Sequence, residues 1–277
     1  MKKAFGTLAI LALAGTANAQ TISNGNAQYV FNAGHVPTTS TAIGGGSANL
    51  NTNNASNDQL FENWWWYRVD GVDTREYRYS TAAGTGSPGS AFAAAGDTAT
   101  ATFNFTNFRS ELRYVIVDTD GAGTNEARLM MTNKITNTSA AARTINIFNY
   151  ADYDPAGSFS HPYSYDAGQS ALVATSGTVT CYHKGFGASA YQAAPYTTVS
   201  GTAVRGYVAD TLINNLNNTV TGAPADYTGA FQWTFTLQPG EMYEILSVLS
   251  INTPPVPTPG AFALVGLAGL AGIRRRR

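Results

Sequence analysis

Small or polar residues alternate with apolar residues along most of the chain, with a period of two rather than the 3.6 of a helix. The clearest cases are residues 98–105, 144–150 and 231–237, which are rich in threonine, isoleucine and aromatic residues. Such residues favour β-strands, and glycine, asparagine, aspartate and serine separate the segments. The same pattern predicts further strands at residues 28–31, 64–69, 76–79, 112–118, 127–135, 171–175, 178–183, 203–208 and 243–251.

Many short strands joined by polar turns predict an all-β fold. Because one face of most strands is apolar and the other polar, we expect an antiparallel β-sandwich, with a closed β-barrel as the alternative. One short helix is predicted at residues 210–217, with Asp210 as its N-cap. The stretches 38–58 and 81–96 are rich in asparagine, serine or glycine and are predicted to be long loops or poorly ordered segments. With no internal repeat, residues 20–252 are interpreted as one domain.

The N-terminus has the pattern of a secretory signal peptide. Lys2 and Lys3 precede an apolar stretch, and Ala17 and Ala19 supply the small–x–small pattern of a cleavage site. Residues 1–19 are therefore predicted to direct the chain to the export machinery and to be removed.

The C-terminus has three successive parts. A proline-rich segment leads into the apolar residues 261–273, which are followed by four arginines, Arg274, Arg275, Arg276 and Arg277. The apolar segment is predicted to be a hydrophobic helix. Its 13 residues fall short of the roughly 20 that a helix needs to span a bilayer unaided. The terminal arginines would hold its end on the cytoplasmic side.

This C-terminal pattern, residues 253–277, resembles the PEP-CTERM sorting signal of Gram-negative bacteria. Pro257 and Pro259 match the prolines of that motif, although Thr258 stands where the motif has an acid. The resemblance implies a transient membrane contact, processing by an exosortase-type enzyme, and a place at the outer cell surface or in the extracellular matrix. It also implies an association with exopolysaccharide production. The alternative is a membrane anchor that is never removed.

Charge changes the picture once both end segments are set aside. The chain has 16 basic and 17 acidic residues, and six of the basic ones lie in the two ends. The remaining 10 basic and 17 acidic residues give the body a net charge of −7. An acidic body argues against a nucleic-acid partner, which needs lysine and arginine to neutralise phosphates.

One loop has the composition of a cation site. Asp118, Asp120 and Glu126 lie within nine residues that also contain two glycines. Hard cations such as Ca²⁺ prefer oxygen ligands from flexible loops, so calcium is a possible cofactor here. No other cofactor is predicted. The alternative is an ordinary hairpin connection, in which aspartate and glycine are common.

A second acidic pair is the candidate catalytic feature. Asp152 and Asp154 are two residues apart at the end of a predicted strand, on one side of an extended chain. Paired carboxylates could act as acid and base on a glycosidic bond. They could equally bind a cation or begin the turn at Pro155.

A run of aromatic residues is the candidate sugar-binding feature. In a strand, Trp64 and Trp66 would lie on one face, with Trp65 and Tyr67 on the other. One pair would be core, and the other could form a stacking platform for sugar rings, unless both faces are covered. Weaker candidates for the same contact lie in a polar loop further along, at Phe159, Tyr163 and Tyr165.

The remaining residues add no catalytic motif. The chain contains one cysteine, Cys181, which is predicted to be a packed strand residue. His35, His161 and His183 lack metal-ligand spacing, and there is no nucleophile elbow, phosphate loop or dinucleotide fingerprint. The sequence thus predicts an exported structural or glycan-binding protein, with extracellular polysaccharide as a partner and without turnover. The alternative is a secreted polysaccharide hydrolase or lyase.

Overall fold

The computed structural model describes residues 20–31, 48–52, 58–79, 91–121, 125–221 and 223–255. The predicted signal peptide and the sorting residues Pro257, Pro259 and Arg274 to Arg277 lie outside the described residues, as does the predicted C-terminal helix. Within the described ranges, no helix is long and apolar enough to cross a membrane.

Strands dominate the described residues, and one α-helix accompanies them. The strands are β1 (Gln20–Asn24), β2 (Ala27–Phe31), β3 (Ala48–Asn51), β4 (Leu60–Val69), β5 (Tyr77–Arg78), β6 (Ala91–Ala95), β7 (Thr98–Asn104), β8 (Phe108–Val117), β9 (Ala127–Asn137), β10 (Arg143–Tyr153), β11 (Tyr163–Asp166), β12 (Ala171–Ser176), β13 (Val179–Phe186), β14 (Ala190–Pro195), β15 (Thr219–Val220), β16 (Tyr227–Leu237) and β17 (Met242–Ile251). The helix α1 is Ala203–Ala209, and Pro155–Gly157 form a 3₁₀ turn.

The described strands form two large sheets and a small one. The first has six strands in the order β15-β14-β16-β10-β4-β5. The second has eight strands in the order β11-β12-β13-β17-β9-β8-β7-β6, and β1, β2 and β3 form the third. Every pairing is antiparallel except β14 with β15.

The two large sheets are open and stack in the manner of a sandwich, so the all-β prediction is confirmed and the barrel alternative is wrong. All but one of the predicted strand segments coincide with strands.

Aromatic side chains fill the space between the large sheets. The Trp65 ring lies 6.2 Å from that of Trp233, and the Tyr67 ring lies 4.4 Å from that of Phe105. The sheets approach each other closely at Gly185 on β13, where a Cβ atom would lie 2.6 Å from Cγ of Phe231. Glycine at this position lets the aromatic side chains of β16 lie directly on the β13 backbone.

The six-stranded sheet is also covered on its outer face. Strands β4 and β10 are buried almost continuously, so the alternation between buried and exposed residues disappears on them. Helix α1 lies against this face, with the Arg205 guanidinium 5.5 Å from the Trp66 ring centre and 5.7 Å from that of Tyr150. Both faces of the central strands therefore belong to packed layers.

The prediction of the helix was wrong in position. The helix is Ala203–Ala209, where a strand was predicted, and residues 210–217 are irregular. Alternate residues of α1 are buried, which is the pattern that indicated a strand. Gly206 allows the helix to approach the chain before it, since a Cβ there would lie 2.2 Å from the carbonyl oxygen of Val199.

Asp210 follows the helix instead of preceding one. Its carboxylate accepts hydrogen bonds from the amides of Gly201 at 2.7 Å and Leu212 at 2.8 Å. It therefore ties together the two segments that flank α1.

We expect Gly185→Ala to lower the free energy of unfolding by about 1–3 kcal/mol, because the added methyl group overpacks the layer between the sheets. Urea denaturation of the variant and the wild type measures the difference. Gly168→Ala is the matched control, since the nearest atom to its Cβ is a side-chain oxygen of Asp166 at 3.2 Å. Equal losses in the two variants would contradict the close approach at Gly185.

Candidate functional site

Three aspartates meet at one end of the six-stranded sheet. Asp152 is the penultimate residue of β10, Asp154 follows that strand, and Asp226 immediately precedes β16. Because β10 and β16 are antiparallel, the end of one lies beside the start of the other, with Asp152 opposite Thr228. One carboxylate oxygen from each aspartate lies within 4.8 Å of those from the other two.

A β-bulge in β4 shapes the same end of the sheet. Glu62 pairs with Asp152, but the next residue of β10, Tyr153, pairs with Leu60. Phe61 is thus an additional residue in β4, and its side chain is 56% exposed. Bulges commonly redirect side chains at strand ends, and this one places an aromatic ring beside the carboxylates.

Exposed aromatic rings surround the three carboxylates. Phe61, Phe159 and Tyr196 line a cavity of about 200 Å³ together with Asp152, Asp154 and Asp226. Phe159 is 68% and Tyr196 is 43% exposed. We refer to the cavity formed by these six residues as the acidic pocket.

Burial raises the pKa values of all three acids, and repulsion from neighbouring acids adds to the effect for Asp152 and Asp154. Burial, reinforced by the charges of Asp226, Asp154 and Glu62, raises the pKa of Asp152 to about 9. Burial together with the charges of Asp226 and Asp58 raises the pKa of Asp154 to about 6. Burial also raises the pKa of Asp226.

Neighbouring basic groups offset little of this charge. Nε of Arg205 lies 3.3 Å from an oxygen of Glu62, so Arg205 is already paired. His161 contacts the carbonyl oxygen of Ser158 through Nδ1 at 3.0 Å, and burial lowers the pKa of its imidazole. Oδ1 of Asp152 is buried and has no hydrogen-bond partner among the described residues.

The structure brings Asp152 and Asp154 together as the sequence predicts, and adds Asp226. No sequence pattern marks Asp226, because its position depends on the pairing of β10 with β16. The aromatic residues of the pocket likewise come from three separate segments of the chain.

The aromatic run occupies the interior instead. All four residues of the run are buried: Trp64, Trp65, Trp66 and Tyr67. Both faces of the strand are therefore covered, and these residues do not form an exposed sugar platform. Nε1 of Trp64 donates a hydrogen bond of 2.6 Å to the carbonyl oxygen of Tyr79. Tyr163, one of the weaker candidates, is also buried, with its ring 5.7 Å from that of Tyr227.

The predicted calcium loop engages its own neighbours. The Asp118 carboxylate accepts hydrogen bonds from the amides of Asn26 at 2.7 Å and Gly121 at 3.0 Å. Asp120 accepts one from the amide of Asn125 at 3.3 Å, and Glu126 accepts one from the hydroxyl of Thr119 at 2.7 Å. Residues 122–124 lie outside the described ranges, and calcium in this loop stays a prediction.

A buried polar network lies between the sheets. Oδ1 of Asn149 contacts Nε2 of His183 at 3.0 Å and accepts a hydrogen bond of 2.8 Å from Ser247. Burial lowers the pKa of His183 to about 3, so its imidazole is neutral. All three residues are fully buried, so this serine and histidine are structural and not a site for a substrate.

A second cavity, of about 530 Å³, opens beside β13 and β14. Its walls include the rings of Tyr165 and Tyr191, which stack with their centres 3.9 Å apart, and the ring of Phe231. The other described residues of its lining are small or uncharged, so among the described residues the cavity offers surface for contact and no carboxylate or imidazole.

No protein-family model matches the sequence, and no curated protein is significantly similar to it. Solved structures do match. A bacterial glucoamylase complexed with acarbose has a TM-score of 0.54 at 11% identity, over 88% of this chain and 35% of that one. The chain therefore spans about a third of that glucoamylase, and the likeness is one of fold.

Two further similar structures have lower scores. An Escherichia coli K12 protein described as an aldose 1-epimerase has a TM-score of 0.46 at 9% identity, over 84% of this chain and 98% of that one. A polysaccharide lyase has a TM-score of 0.42 at 11% identity, over 73% of this chain and 30% of that one.

We expect the protein without bound metal to lose stability as pH rises from about 5 to 8. In this window Asp152 stays protonated when folded but ionises when unfolded, near an ordinary pKa of about 3.9. The unfolded state therefore binds fewer protons, and the free energy of unfolding falls with pH, by at most about 1.4 kcal/mol per pH unit for this group.

Urea denaturation at several pH values in chelator-treated buffer measures this slope. Asp152→Asn should remove most of it above pH 6. Asp154→Asn is the matched comparison and should keep the slope above pH 6, because the pKa of Asp154 is raised only to about 6. An unchanged slope in Asp152→Asn would contradict the assignment.

Proposed function

We propose that this protein is an exported glycan-binding protein of the cell surface or exopolysaccharide matrix, and that the acidic pocket is its binding site. The observation that carries the proposal is the placement of three exposed aromatic rings around three carboxylates. Apolar faces of sugar rings pack on aromatic side chains, while sugar hydroxyls donate hydrogen bonds to carboxylates. The pocket combines both kinds of contact.

The size of the pocket limits what it holds. A volume of about 200 Å³ is below the roughly 300–1,000 Å³ of pockets that enclose drug-sized ligands. We therefore assign it one sugar residue at the end of a chain, or one unit held against the rim, and not a long segment. The ligand class agrees with the glucoamylase of similar fold, whose structure contains acarbose.

A second candidate function is hydrolysis of a glycosidic bond. The specific observation in its favour is the separation of carboxylate oxygens, which lie within 4.8 Å of one another. Retaining glycosidases hold their two carboxyl groups about 5–5.5 Å apart. We prefer glycan binding to hydrolysis for two reasons. The pocket is short, and a group of three carboxylates also suits functions other than acid–base chemistry.

Export supplies the setting for this function. The signal peptide and the PEP-CTERM-like tail support delivery to the outer surface of a Gram-negative cell, with an exosortase-type enzyme as the processing partner. An exported acidic body with an exposed sugar site would act on the polysaccharide outside the cell.

We expect Tyr196→Ala and Phe159→Ala each to weaken glycan binding by about three- to tenfold, as expected for losing about 0.5–1.5 kcal/mol of ring contact. A panel of neutral and acidic polysaccharides, screened with the purified full chain, identifies the ligand, and titration calorimetry measures the affinities.

Tyr243→Ala is the matched control. Tyr243 is another exposed tyrosine, stacked on Phe235, which lies seven residues along β16 from the pocket end at Thr228. Its replacement should leave affinity unchanged. The binding proposal would be contradicted if the folded wild type binds no polysaccharide, or if the pocket variants bind as tightly as the wild type. New reducing ends during incubation would favour the hydrolase.

We expect the mature protein from the native host to begin at Gln20 and to lack Arg277, because both end segments act in sorting. Intact-mass measurement determines both ends. Replacing Pro257 and Pro259 by alanine should leave Arg277 in place. Wild-type protein that retains Arg277 would instead indicate a permanent anchor.

A further inference from the structure

The acidic pocket brings together more carboxyl groups than a sugar site requires. Asp152, Asp154 and Asp226 converge there, and the charge of Asp58 also acts on Asp154. We infer that the three converging aspartates bind one divalent cation, for which Ca²⁺ is the best match, on the floor of the acidic pocket. The proposed role of this cation, to hold sugar hydroxyls, rests on the proposed glycan-binding function, whereas the cation site itself does not.

The geometry fits a single ion. Calcium takes oxygen ligands at about 2.3–2.6 Å, so two ligands of one ion lie at most about 4.6–5.2 Å apart. The three carboxylate oxygens lie within 4.8 Å of one another. One ion between them could therefore contact all three with little movement of the chain.

The strongest indication is a buried oxygen without a partner. The Asp152 residue is only 3% exposed, and its Oδ1 has no hydrogen-bond partner in the part of the chain that the structure describes. The same side chain lines the cavity. Burying an ionised carboxylate is costly unless it is paired, hydrogen-bonded or bound to a metal. A cation bound among the three carboxylates would supply this side chain with the partner that the described residues do not.

Among the described residues, no salt bridge joins a basic group to any of the three aspartates. Arg205 is paired with Glu62 at 3.3 Å and lies over the rings of Trp66 and Tyr150. The Nδ1 atom of His161 contacts the carbonyl oxygen of Ser158 at 3.0 Å. Neither Arg205 nor His161 forms a salt bridge with these carboxylates, so a cation from solvent can bind among them.

The Asp118 loop is the weaker of the two cation candidates. Its three acids are held by hydrogen bonds from their own loop and from Asn26, as described above. A cation would have to displace some of those bonds. Oδ1 of Asp120 also lacks a hydrogen-bond partner among the described residues, but Asp120 is only partly buried, whereas Asp152 is almost fully buried.

Three carboxylates leave part of the coordination of Ca²⁺ open, since the ion takes six to eight oxygens. The open positions would face the cavity lined by Phe61, Phe159 and Tyr196. Water fills them in the free protein, and sugar hydroxyls replace water when a glycan binds. Acid–base hydrolysis by these aspartates conflicts with this arrangement, because a carboxylate that ligates a metal carries no proton.

Titration calorimetry with CaCl₂ tests the site directly, using the full chain after chelator treatment and without any glycan. The test variant carries Asp154→Asn and Asp226→Asn, and the control carries Asp118→Asn and Asp120→Asn. We expect the wild type and the control each to bind one Ca²⁺ ion at the acidic pocket. The test variant should no longer bind this ion. The affinity loss should exceed the roughly 10–100-fold that follows loss of an outer-shell partner.

Thermal unfolding provides a second readout. Calcium should raise the melting temperature of the wild type and of the control, and should leave that of the test variant unchanged. Circular dichroism checks that the variants are folded, and single Asp226→Asn replaces the double variant if it is not. The inference is overturned if the wild type binds no Ca²⁺ at millimolar concentration, or if the pocket variants bind it as the wild type does.

Glycan binding with calcium and with chelator separates this inference from the proposed function. Glycan affinity that falls on chelation supports both. Calcium binding at the pocket without any glycan binding supports the cation site and overturns the glycan-binding function. Glycan affinity that is the same in calcium and in chelator overturns the role of the cation in holding the sugar.

Discussion

Strand β10 is hydrogen-bonded on both sides, to β16 and to β4, and both of its faces are covered. Each of its side chains must therefore fit into one of two packed layers. Asn149 enters the layer between the sheets, and Tyr150 lies under Arg205 on the outer face. Asp152 is also buried, because it is still paired on both sides within the strand. The acidic pocket exists because this central strand has an aspartate as its second-to-last residue.

The polar network of Asn149, His183 and Ser247 complements this arrangement. It links β10 of one sheet to β13 and β17 of the other through hydrogen bonds that require a definite register. Aromatic packing fills volume but tolerates small shifts, whereas buried polar groups lose their partners when the sheets slide. The network thus fixes the alignment of the two sheets.

Local patterns in the sequence were enough to predict the strands that have one face in the core. Apolar and polar residues alternate along a strand wherever its other face is exposed or contacts small residues. They were not enough for α1, whose alternate residues are buried against its neighbours although it is helical. They also left open which face of the Trp64–Tyr67 run was covered, since the answer depends on a segment about 140 residues further along. Asp152 and Asp154 could be found because they are adjacent in sequence. Asp226 could not, since only strand pairing brings it to them.

The bulge at Phe61 has a consequence for how such a site could arise. Phe61 is an extra residue in the pairing of β4 with β10, so its ring reaches the pocket because the strand is one residue longer there. Loss of this one position would restore regular pairing and remove this ring, while Phe159, Tyr196 and the three aspartates would remain. Related sandwiches could therefore gain or lose one of the three aromatic contacts through a single insertion or deletion, which an alignment would record only as a gap.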